Sequence, residues 1–182
     1  MKRNLSLILM SILIAALMLA GCSSASGSGS AAAESQPKVD VTKMSAEEIV
    51  KTFQDAGYPI ENVQILTAET DKGELLGRPN QYTSKVIFED SRSNSPAAGS
   101  ATEGTAGGSI EVFNNAEDAQ ARYDYIQPIT ENAMFSQYLY LYENVFLRID
   151  GALTPDQAAQ YEAAFISLQN GELPEQFSEN SK

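Results

Sequence analysis

Between residues 44 and 170 the chain alternates stretches with apolar residues at helical spacing and stretches with apolar residues at every second position. Ser45-Ala46-Glu47-Glu48 reads as a capping box, in which the serine hydroxyl and the glutamate satisfy each other's orphan amides. Ile49, Val50, Phe53 and Ala56 then share one helical face, and Gly57 with Pro59 ends that helix. A second helix begins at Asn115, where Glu117 and Asp118 complement its positive end. It turns Ala119, Tyr123 and Ile126 inward and is expected to stop before Pro128. The third has Thr154 as cap, Pro155 at its first position and Gln157 as box partner. Its stripe is Ala158, Tyr161, Phe165 and Leu168, closed by Asn170-Gly171.

Strands are expected at 63–66, 82–88, 110–113, 138–142 and 145–149. Tyr82, Val86 and Phe88 would share a face of the second. Tyr138, Tyr140 and Tyr142 alternate with Leu139 and Leu141, and a turn near Glu143-Asn144 leads to Val145, Leu147 and Ile149. The order α-β-β-β-α-β-β-α predicts an α+β domain. It would be a mostly antiparallel sheet of about five strands with three helices packed on one face.

Three segments fall outside this pattern. Residues 91–108 are Ser, Gly, Ala, Pro and Thr with one asparagine, one glutamate and one arginine, and read as a disordered insertion between two strands otherwise suited to a hairpin. Residues 22–43 carry Ser, Gly and Ala and then a short polar stretch, the composition of a flexible linker. Residues 171–182 read as a disordered tail. One domain over 44–170 remains, enough for a single core.

The start of the chain has a different character. Lys2 and Arg3 precede the apolar run 5–20, broken only by Ser6 and Ser11, which is the pattern of an export signal over 1–21. The run is shorter than the ~20 residues a membrane-spanning helix needs. Leu19-Ala20-Gly21-Cys22 resembles the lipobox of bacterial prolipoproteins. The resemblance implies a diacylglyceryl group on the Cys22 thiol, cleavage before Cys22, and a mature protein held on the outer face of the cytoplasmic membrane. Cys22 is the one cysteine in the chain, so no disulfide or cysteine metal ligand is left to the mature protein.

Charge narrows the function. Without Lys2 and Arg3 ten cations face 24 acids, a net charge of −14. Nucleic-acid binding needs a basic footprint and is excluded on this ground. The sequence contains no histidine, which removes Ser-His-Asp and Cys-His catalysis and histidine metal sites. No glycine-rich phosphate loop or EF-hand loop occurs, and no cofactor, metal site or catalytic residue is expected.

Two groups of residues could meet a ligand or partner. The first is the run 75–85, where Gly77 permits a positive φ, Pro79 fixes the next turn, and Arg78, Gln81 and Tyr82 could face an anionic or sugar group. This Gly-Arg-Pro…Gln-Tyr…Lys run, with Tyr140-Leu141-Tyr142 and Thr154-Pro155, is similar to a group of small Gram-positive extracytoplasmic lipoproteins. That resemblance implies a fold and an address and supplies no activity. The second group is the ladder Tyr138, Tyr140 and Tyr142, which would form an aromatic platform if its face of the sheet were exposed. Since Leu139 and Leu141 need burial more, the tyrosine face is expected to be the open one. The expectation is therefore a non-enzymatic, lipid-anchored binding domain acting on an envelope protein. Its alternatives are a module for cell-wall glycan or a small ligand and, further off, a carboxylate-dependent hydrolase.

Overall fold

A computed structural model of the chain describes residues 38–94 and 106–179. The signal segment, Cys22 and most of the linker and insertion lie outside these residues. Among the described residues there are three α-helices, α1 (Ala46–Asp55), α2 (Ala116–Thr130) and α3 (Pro155–Gln169). The strands are β1 (Ile60–Ile65), β2 (Ser84–Asp90), β3 (Gly107–Val112), β4 (Gln137–Tyr142) and β5 (Val145–Asp150), and short 3-10 turns occupy Val41–Lys43 and Ala133–Phe135. The strands form one sheet in the order β1-β2-β3-β5-β4, every neighbouring pair antiparallel. The fold is α+β, with the element order expected from the sequence.

The helix ends follow their capping residues. Both capping boxes form, Ser45 with Glu48 and Thr154 with Gln157, and the Asn115 side chain accepts from the Asp118 amide. Gly57 and Gly171 take φ of 84° and 79° after α1 and α3, a region glycine enters without steric cost. Pro128 does not stop α2, which runs on to Thr130. The proline lies in the exposed last turn, where the carbonyl deprived of its donor can turn to water.

The helices do not share one face of the sheet. Val86, Phe88, Ile110, Val112, Val145, Leu147 and Ile149 pack with α1 and α3 in the larger core. On the opposite face, Tyr82, Phe113 and Phe146 pack with Ala119 and Ile126 of α2. The strands themselves explain this: the inner ones carry Ile87, Phe113 and Phe146 out of phase with the first set, so both faces need cover. Tyr82 belongs to the second cluster and does not share a face with Val86 and Phe88.

The segment boundaries also move. Val41, assigned to the linker by composition, is buried in the larger core, and the Val39 amide donates to the Gly171 carbonyl at 3.0 Å. Gly107 and Gly108, assigned to the insertion, open β3, where a Cβ on Gly108 would lie 2.6 Å from the Arg148 carbonyl oxygen. Residues 171–179 pack rather than trail away. The Phe177 amide donates to the Ala56 carbonyl at 2.7 Å, its ring lies 5.2 Å from that of Tyr58, and Arg92 sits 5.0 Å over it.

Candidate functional site

The α2 face of the sheet holds an ionic cluster that the sequence pattern does not announce. Lys85 and Glu111 are direct partners in the β2–β3 register, with Nζ donating to Oε1 at 2.9 Å and neither side chain exposed. Arg148 of β5 donates to the same oxygen at 3.1 Å, and Arg122 reaches down from α2 to Oε2 at 3.0 Å. Burial alone would raise the Glu111 carboxyl. The cations Lys85, Arg148 and Arg122 more than offset that and hold it down at about 2. Arg148 is steadied from the other side by Gln137, whose Oε1 accepts from Nε at 2.9 Å.

The loop 66–83 covers the neighbouring part of this face. Asp71 organises it by accepting from the amides of Gly73, Leu75 and Leu76 and from the Tyr82 hydroxyl. Burial would raise Asp71, but these donors win and lower it below the ordinary carboxylate value. Gly77 takes φ 74° and Asn80 φ 62° in the turn that returns the chain to β2.

Between this loop and α2 lies an open cleft of ≈ 420 Å³ lined by Leu75, Asn80, Gln81, Ala121, Arg122 and Tyr125. No carboxylate is among these six residues. Arg122 connects the cleft to the ion cluster beneath it, and its guanidinium carbon lies 5.9 Å from the centre of the Tyr125 ring. Tyr125 and Ile129, one helical turn apart on α2, are 63% and 40% exposed. The cleft offers amides, a guanidinium and an aromatic edge for recognition, without a nucleophile and general base placed together.

The expected site residues divide. Gln81 lines the cleft. Arg78 does not: it is exposed and pairs with Glu74 at 2.9 Å, one turn away in the loop. Tyr82 is buried with its hydroxyl on Asp71, where it secures the loop. Tyr138, Tyr140 and Tyr142 are half-buried against the larger core and form no open platform. The Tyr138 hydroxyl donates to the Leu153 carbonyl at 3.3 Å, and burial, with Glu162 and Tyr138 nearby, pushes Tyr140 up to about 12. Leu139 and Leu141 pack beneath α2, so both faces of this strand are covered.

Sequence reasoning missed Asp71, Glu111, Arg122 and Arg148. A signal existed for two of them. Glu111 stands between Ile110 and Val112 and Arg148 between Leu147 and Ile149, and charges placed so must be paired inside. Their mutual pairing depends on strand order, which the sequence leaves open. Among the described residues no group of three or more acids, cysteines or histidines could hold a metal ion, and no helix is long and apolar enough to cross a membrane. Comparison with family models, curated proteins and solved structures returns no match.

Proposed function

We propose that this chain is a lipid-anchored, non-enzymatic interaction domain on the outer face of a bacterial cytoplasmic membrane, and that it receives an envelope protein along α2 and the adjoining cleft. The lipid anchor rests on Leu19-Ala20-Gly21-Cys22 after the basic and apolar start. The observation that carries the binding reading is the exposure of Tyr125 and Ile129 beside an open cleft containing Arg122. Aromatic and arginine side chains are the usual anchors of protein interfaces. An open cleft with an apolar ridge fits a protein surface better than the enclosed pocket a small ligand prefers.

The test is crosslinking in living cells with tagged full-length protein, beside Cys22→Ala and a Tyr125→Ser/Ile129→Ser double variant. The expected result is one discrete envelope protein, captured by the wild type and lost from both variants. Equal background capture in all three would end the protein-partner reading and direct the search to glycans and small ligands.

A further inference from the structure

We propose that β4 is a self-association edge, where a second copy of this chain adds its own β4 antiparallel and continues the sheet. The two edges of the sheet differ in how they are protected. β1 carries a register irregularity between Glu61 and Gln64, a charge at Glu61, and Asn62 at φ 47°. Such features block strand addition. β4 is Gln-Tyr-Leu-Tyr-Leu-Tyr, paired with β5 without a register break and free of Lys, Arg, Asp, Glu, Pro and Gly.

The ladder fixes which groups face outward. The Gly151 amide donates to the Ser136 carbonyl at 2.8 Å, which makes 136 and 151 a bonded pair. Alternation along an antiparallel ladder then turns the peptide groups of Tyr138, Tyr140 and Tyr142 toward β5 and those of Gln137, Leu139 and Leu141 outward. Among the described residues those outward groups have no backbone partner.

The strand's alternation selects its own copy. A two-fold axis normal to the sheet keeps both helical layers continuous and pairs only positions of like parity. Centred on Tyr140, it sets Leu139 opposite Leu141 of the second copy and Tyr138 opposite Tyr142. Leucines then meet leucines on the α2 face, and tyrosines meet tyrosines on the other. Met134 and Phe135, 84% and 55% exposed, lie just ahead of this pairing edge. No charged group along β4 opposes the approach of a second anionic chain.

The test takes the full chain in detergent micelles and measures its protein mass by light scattering and its amide exchange residue by residue. The expected result is a two-copy mass, with the Leu139 and Leu141 amides slowed at least about tenfold relative to dilute, single-copy protein. Leu139→Pro removes one outward N–H, a place where an edge strand tolerates proline, and is expected to give a single-copy mass. If that variant fails to fold, the wild-type exchange pattern still decides. A single-copy mass at every concentration overturns the proposal. So does a two-copy mass whose Leu139 and Leu141 amides exchange freely, or protection of those amides in single-copy protein, which would mean that another segment of the same chain covers the edge.

Discussion

Lys85 and Glu111 face each other across the β2–β3 ladder with 2.9 Å between Nζ and Oε1, and solvent reaches neither side chain. Arg122 and Arg148 complete the group from α2 and β5, so one carboxylate holds together three separate elements under the cleft. A charge cluster this deep carries a large desolvation cost. Its contribution lies in fixing where α2 sits on the sheet.

Removing one member of the cluster exposes that cost. Glu111→Gln leaves three cations around a neutral amide and is expected to lower stability by about 3–5 kcal/mol. Lys85→Met leaves Glu111 with two arginines and should be milder. Urea denaturation of both variants checks the order; an equal or reversed order would show that the cluster is not centred on Glu111.

The same carboxylate sets the acid response. Glu111 falls from an ordinary 4.5 to about 2 on folding. A carboxyl lowered in this way contributes stability above its unfolded pKa and loses it as pH falls through the folded value. Asp71 is lowered as well and acts in the same direction. Asp150, raised by burial despite its bond from the Ala152 amide, has the opposite sign and favours the fold as pH falls. Glu111 is fully buried, and its shift corresponds to a contribution on the order of 3 kcal/mol. Stability measured from pH 5 to 2 should therefore fall in the wild type and fall distinctly less in Glu111→Gln.

Asp71→Asn tests the cleft wall. The amide keeps the size of the carboxylate but loses charge-assisted acceptance from three backbone amides and the Tyr82 hydroxyl. The expected cost is about 1–3 kcal/mol, with faster exchange of the Leu75 and Leu76 amides while those of β3 and β5 stay protected. Uniform loss of protection across the sheet would mean that the loop is not an independent unit.

Arg78→Ala is the contrasting case. Its partner is the exposed Glu74, and an exposed ion pair contributes roughly 0–1 kcal/mol. The substitution should leave both the unfolding midpoint and partner capture unchanged. Loss of capture with unchanged stability would restore Arg78 as a recognition residue.

How much of this was legible in the sequence follows from where each signal resides. Ser45, Thr154, Pro155, Gly57 and Gly171 act within a few residues of chain, and the helix ends they mark appear where expected. The tyrosine ladder misled because alternation tells which residues share a face and not what covers that face. In β4 the tyrosine face is covered by the core of α1 and α3 and the leucine face by α2, and the amphipathic pattern of a helix does not say on which side of the sheet it docks. The tail failed for a related reason: residues 171–179 are mostly polar or small, yet Pro174 is buried and Phe177 packs against Tyr58 and Arg92. Of the candidate site, Gln81 was visible, while the Glu111 cluster depends on strand order and could not be read from one strand at a time.

The claim that α2 and its cleft receive an envelope protein is tested most directly by a photo-crosslinking amino acid placed at Tyr125 in the full-length chain in living cells. Ile166, 45% exposed on α3, is the control position. One adduct of defined mass is expected from position 125, absent from position 166 and lost with Cys22→Ala. The same adduct from both positions, or none above background from position 125, would contradict it.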